Sequence, residues 1–216
     1  MTVLFFLLAF GYLCLFFVWF VLVSKTKWRN VTNIPLIVLL GLVYDNLIIA
    51  SGSIMGEGLL LKSLSIGRYW LHAFLTPTLL LFAWGICFKT GFRWAQKTIW
   101  KVLASLLTIG LILFELIFVV MKIKLEPKWE NSLLTYENIA QTSSPYMVVV
   151  VTTVLLVVGF LLIRKLHFPW LFIGTFTMII GGVVGIWIKN PLLMNVFELL
   201  FLISIFITKL YQVRTV

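Results

Sequence analysis

The chain has 216 residues, of which 62% are hydrophobic and 11% charged, with a mean hydropathy of +1.13. That is more apolar than any soluble core requires, and it marks a polytopic integral membrane protein. The net charge of +10, from 17 Lys and Arg against seven Asp and Glu, does not point to a nucleic-acid partner, because the cations form short clusters between apolar runs and no basic domain exists to carry one.

Seven apolar stretches reach the roughly 17 to 22 residues needed to cross about 30 Å of hydrocarbon as helices. The first, Val3 to Val23, has no basic segment before it and Lys25, Lys27 and Arg29 after it, the pattern of a retained anchor rather than a cleaved signal peptide. The second runs from Asn33 to Ile49 and contains Asp45 and Asn46. Between Ser51 and Arg68, four glycines surround Leu59, Leu60, Leu61 and Leu64, which predicts a short interfacial or re-entrant element. The third span, Tyr69 to Phe88, carries His72 and Thr76; the fourth, Val102 to Met121, carries Thr108 and Glu115.

The connection from Lys122 to Pro145 is long and contains Glu126, Glu130 and Glu137. Its Trp129, Leu133, Tyr136 and Ala140 recur at helical spacing and predict an amphipathic helix lying over one mouth of the bundle. The fifth span is Tyr146 to Ile163 and the sixth Phe168 to Ile188, where Gly174, Thr177, Gly181 and Gly185 form a small-residue stripe suited to close helix contact. A very short Lys189-Asn190 turn leads to Pro191, which fits the first turn of a seventh span ending at Thr208. The expected fold class is therefore all-α, a single seven-helix transmembrane domain over residues 1–216.

Alternate connections collect eleven of the 17 cations on one side: Lys25, Lys27, Arg29, Lys89, Arg93, Lys97, Lys101, Arg164, Lys165, Lys209 and Arg214. The positive-inside rule makes that side cytoplasmic, which puts the N-terminus outside, the C-terminus inside and the chain in the cell membrane. Trp28, Trp94, Trp100 and Trp170 at one level and Trp70, Trp129 and Trp187 at the other fit two interfacial belts. Cys14 and Cys87 are expected at different depths as small buried side chains, and His167 as a solvated residue.

Four ionisable residues fall inside these spans: Asp45, His72, Glu115 and Glu198. An ionisable group in a bilayer costs several kcal/mol unless it finds a partner or water, so such residues usually mark a working site. With a rise of about 1.5 Å per residue, all four lie in the outer half of the membrane, with Asn46 and Asn195 at similar levels. Arg68, His72 and Thr76 share one face of the third span, and Asn195 and Glu198 share one face of the seventh. The simplest arrangement turns these stripes toward one outward-opening cavity.

Carboxylates with an imidazole can ligate a divalent metal or act as general acid and base, which makes Asp45, His72, Glu115 and Glu198 the candidate catalytic or metal-ligating residues. Arg68, Asn46, Asn195 and Thr76 are the candidate substrate-binding residues, with Arg68 suited to an anionic headgroup. The inner halves of the spans read as almost entirely apolar, so a one-sided site acting on a membrane lipid or other amphiphile is expected ahead of a proton- or cation-coupled transporter. A non-catalytic receptor or assembly subunit is the third reading. No HExxH, GxSxG or GxGD motif is present to name the chemistry.

Overall fold

The computed structural model of the chain describes residues 1–24, 30–130, 132–140, 145–188 and 191–215, without the side chains of Ile186 and Thr215. Its elements in order are α1 (Thr2–Ser24), α2 (Pro35–Met55), α3 (Leu59–Leu75), α4 (Leu79–Lys89), α5 (Thr98–Phe118), β1 (Leu125–Glu130), β2 (Leu133–Asn138), α6 (Tyr146–Leu166), α7 (Trp170–Ile188) and α8 (Pro191–Thr215). Six helical segments are long and apolar enough to cross a membrane, and α7 adds a shorter apolar one. The chain is a multi-pass helical membrane protein. In hydrocarbon every backbone N–H and C=O must be satisfied within the chain, and long apolar runs do so as helices.

Helix α1 is apolar on every side, and Phe5, Leu8, Tyr12, Trp19 and Val23 recur along the face that it buries. Beyond Ser24 the cationic cluster Lys25, Lys27 and Arg29, with Trp28, lies outside the described residues. A short turn then leads into α2, with the Asn30 side chain accepting from the Thr32 amide at 3.1 Å and Pro35 opening the helix. Because α2 continues to Met55 and α3 already starts at Leu59, the expected interfacial element between Ser51 and Arg68 does not exist as a separate segment. Gly56, at φ 73°, ends α2 in a conformation that favours glycine, and the two helices simply extend past their expected ends.

The third span is longer and less regular than expected. It runs from Leu59 to Lys89, 31 residues, or about 46 Å of helix. It bends at Thr76-Pro77-Thr78, where Pro77 has no N–H for the helical ladder. The carbonyl of Pro77 accepts from the Thr108 hydroxyl of α5 at 3.4 Å, so the bend is tied to its neighbour.

The largest departure lies between Lys122 and Pro145. Instead of an amphipathic helix, β1 and β2 pair antiparallel, Leu125 opposite Asn138 through Glu130 opposite Leu133. Pro127 denies a helix interior, and Leu134 and Tyr136 alternate onto one buried face. Those side chains pack with Leu125 on Leu61 of α3. Gly52 of α2 lies against the carbonyl of Leu134, leaving no room for a side chain. Ser53 donates to the Ser132 carbonyl at 2.8 Å and accepts from the Leu134 amide at 3.1 Å, and the Tyr69 hydroxyl accepts from the Asn138 amide at 3.1 Å.

The glycine stripe of α7 is a packing device. A methyl group at Gly174, Gly181 or Gly185 would overlap Ser204, Phe197 or Met194 of α8, so the two helices approach as closely as their backbones allow. The turn between them, Lys189-Asn190, lies outside the described residues, while Pro191 opens α8 as expected. Cys87 is buried on α4, but Cys14 is exposed, because it lies on the outward flank of α1 rather than on its buried face. His167 is exposed and ends α6 in the left-handed region.

Candidate functional site

Six of the eight residues singled out above line one cavity of about 250 Å³. Asp45 comes from α2, Arg68, His72 and Thr76 from α3 and its bend, and Asn195 and Glu198 from α8. Helical spacing accounts for the convergence: 68, 72 and 76 form a stripe of i, i+4 and i+8, and 195 and 198 are one turn apart. Tyr69 and Leu71 complete the α3 wall, and Val38, Gly41 and Leu42 complete that of α2.

Arg68 and Asp45 form an ion pair, Nε to Oδ1 at 2.7 Å, with side chains 16% and 24% exposed. The pair is held from both sides. Gly67 leaves space for the Tyr44 hydroxyl, which donates to the Leu64 carbonyl at 2.9 Å and locks α2 against α3 next to Asp45. His72 Nδ1 lies 3.2 Å from the Thr76 hydroxyl, and His72 is exposed. Asn195 donates to the Pro191 carbonyl at 2.9 Å, while its own carbonyl accepts from the buried Tyr12 hydroxyl at 2.8 Å, which ties α8 to α1. The side-chain oxygen of Asn195 is buried with no hydrogen-bond partner among the described residues.

Above and below, the cavity changes character. Arg68 and Tyr69 also line a smaller space under the hairpin, together with Glu130, Thr135 and Glu137 of the strands, Met1 and Pro191. In the other direction Val38, Leu42, His72, Thr76 and Glu198 border a further space walled by Leu79, Val151, Met178, Phe201 and Leu202. Polar groups therefore occupy the middle, a polar hairpin the roof and an apolar pocket the floor. On the hairpin itself Lys128 bridges Glu137 at 3.0 Å and Glu130 at 3.2 Å, and its hydrogen bonds to these carboxylates raise its pKa above the ordinary lysine value.

Two expected site residues are elsewhere. Glu115 is buried on α5, 7% exposed, and is not among the residues lining the cavity. Asn46 follows Asp45 by one residue, so it points about 100° away around α2, where its side chain donates to the Leu42 carbonyl at 3.0 Å. Among the described residues no group of three or more His, Cys, Asp or Glu side chains is placed to hold a metal ion. The expected four-ligand set of Asp45, His72, Glu115 and Glu198 is not assembled, because Glu115 does not share the cavity with the other three.

Sequence reasoning also missed a second buried polar set at the opposite end of the bundle. Lys209 of α8, 1% exposed, donates to the Thr32 hydroxyl at 2.5 Å and to the side-chain oxygen of Gln212 at 2.9 Å. Thr90 and Thr208 are buried as well. The expectation of an almost entirely apolar inner half is corrected accordingly. The signal was available: Glu198, Leu202, Ile205 and Lys209 follow at i, i+4, i+7 and i+11, one continuous face of α8. Comparison with known protein families, with curated proteins and with solved structures finds no match to this chain.

Proposed function

We propose that this protein is an enzyme of the cell membrane that acts on a lipid or other amphiphile by general acid/base chemistry, with His72 and Glu198 as the reacting pair and Arg68 as the anchor for an anionic group. The observation that carries this reading is the single cavity in which Arg68, Asp45, His72, Thr76, Asn195 and Glu198 converge above an apolar floor. The polar chamber shares His72, Thr76 and Glu198 with a small apolar-walled space, which suits a molecule with both a headgroup and a chain, and we take the exposed side of His72 as its way in from the membrane. An imidazole and a carboxyl group are the usual donors and acceptors for such proton transfers. Asp45 holds Arg68 in place, and Thr76 and Asn195 complete the polar wall.

This reading includes a topology. All described cations of the Lys89–Lys101 stretch and of the ends of α6 and α8 lie at the end opposite the hairpin, which we take as cytoplasmic; the hairpin, the N-terminus and the cavity then face outward. Seven spans in one domain follow, with α7 as the short one. About 20 residues of helix cross 30 Å, so counting back from Lys89 brings the outer boundary near Tyr69. The first turns of α3 then stand above the hydrocarbon and carry the hairpin.

The test is a purified preparation in liposomes of cell lipid, compared with Glu198→Gln and His72→Gln. Turnover of a lipid by the parent and its loss, with folding intact, in both variants is expected; unchanged lipid composition in the presence of the folded parent refutes the enzyme reading. A proton- or cation-coupled transporter is the second reading, favoured by the buried Lys209, Gln212 and Thr32 set at the other end of the same α8 face. It predicts flux driven by a pH gradient in the same liposomes, abolished by Glu198→Gln and Lys209→Met, without any lipid product.

A further inference from the structure

A second, larger hollow lies away from the cavity just described. Between α5 and α6, over α4, there is a groove of about 460 Å³ whose floor is Leu80, Ala83 and Trp84 and whose mouth carries Trp94 and Trp100. One wall is Leu103, Ala104 and Leu107 of α5; the other is formed by α6 between Thr153 and Leu161. We propose that this groove binds one acyl chain of an anionic phospholipid from the leaflet at the end opposite the hairpin, with its headgroup held by Lys97 and Lys101.

Length is the first argument. From Trp100 to Leu107 on α5, and from Thr153 to Leu161 on α6, the walls extend about 10 to 12 Å, close to the hydrocarbon depth of a single leaflet. Toward the hairpin, side chains of the two helices reach across the gap, with the rings of Phe114 and Tyr146 6.1 Å apart. Those rings bar the way of a helix about 10 Å across along the whole gap, whereas a chain inserted from one leaflet fits the space below them.

Charge is the second. All seven acidic side chains of the chain lie toward the hairpin, from Asp45 through Glu198, so the end at which the groove opens has cations with no acidic side chain to balance them. Arg93, Lys97 and Lys101 are exposed there; Lys97 precedes the first turn of α5 and Lys101 follows Trp100. Basic residues at that level attract anionic headgroups. The mouth is also rigidly built. Trp84 donates to the Ala95 carbonyl at 3.2 Å, Trp94 meets Trp100 edge-on at 4.9 Å, and Lys165 of α6 donates to the Thr90 carbonyl at 2.9 Å while lying over the Phe92 ring.

Native mass spectrometry of the detergent-purified protein, titrated with phosphatidylglycerol and separately with phosphatidylcholine, tests the proposal. The parent is expected to retain one phosphatidylglycerol in preference to phosphatidylcholine. Ala104→Phe and, from the facing wall, Thr153→Phe fill the groove and lose that retained lipid. Lys97→Gln with Lys101→Gln keeps a lipid but loses about 30-fold in preference for the anionic headgroup. Ile109→Phe, on the exposed side of α5 outside the groove, leaves binding unchanged. Equal retention of the two lipids by the parent, or parent-like retention in both groove-filling variants, overturns the proposal. So does a dimer that dissociates when the groove is filled, since the occupant is then a second copy of the chain.

Discussion

Replacing Asp45 by Asn leaves Arg68 without its counter-charge inside the cavity. At 2.7 Å, with an effective dielectric constant of 20, the gross Coulomb attraction is about 6 kcal/mol, most of it offset by the cost of withdrawing both ions from water. Exposed pairs are worth about 0.2 to 1 kcal/mol net, while breaking a buried pair costs about 3 to 5. Side chains 16% and 24% exposed place this pair between those limits and nearer the buried one. We therefore expect Asp45→Asn to destabilise the fold by about 3 kcal/mol. Combined with Arg68→Met, it should show a coupling of about 2 kcal/mol, or 30-fold in the unfolding equilibrium. The assay is a double-mutant cycle of SDS-induced unfolding in mixed micelles. A parallel cycle of Glu115→Gln with Arg68→Met should be additive, because Glu115 is not part of the cavity wall. Coupling below about 0.5 kcal/mol for the Asp45 pair, or equal coupling in both cycles, refutes the reasoning.

Gly52→Val should detach the hairpin without unfolding the bundle, because its side chain would occupy the position of the Leu134 carbonyl; faster hydrogen exchange of β2 amides with unchanged helical exchange is the expected result. At the α7–α8 interface, Gly181→Leu should cost at least about 1 to 3 kcal/mol in the same unfolding assay, since Phe197 already fills the space. Lys128→Met should loosen the hairpin against limited proteolysis. In the parent, the carboxylate hydrogen bonds raise the lysine pKa, so their stabilisation is complete at neutral pH and is lost as pH rises through that raised value; the parent should approach the variant only in strong alkali. Protection that falls between pH 6 and 8 would contradict this assignment.

Much of the fold was legible because a bilayer imposes a simple rule. Apolar runs of about 20 residues must be helices, and their boundaries follow the hydropathy in α1 and α6, while α8 starts where expected and runs on to Thr215. The rule fails where the chain leaves hydrocarbon. Ser51 to Arg68 is polar enough to resemble a connection, yet it continues two helices, because the hairpin above supplies the contacts that lipid does not. Trp129, Leu133, Tyr136 and Ala140 matched a helical period only by coincidence. Pro127 and the alternation of Leu134 with Tyr136 carried the strand signal.

For the site, helical spacing sufficed within each helix. The stripe of Arg68, His72 and Thr76 and the pair of Asn195 and Glu198 follow from sequence alone. Which stripes face one another does not follow, because rotation of a helix about its axis depends on packing against every neighbour. Gly67 against Tyr44 and the glycines of α7 against α8 set those rotations: Asp45 meets Arg68 beside Glu198, while Glu115, at a similar depth, stays on another face. Sequence by itself determined the helical membrane class and most of the long apolar helices, since these depend on local hydropathy. Tertiary structure alone decided which charges share a cavity, because azimuth is a property of contacts between helices and not of any one of them.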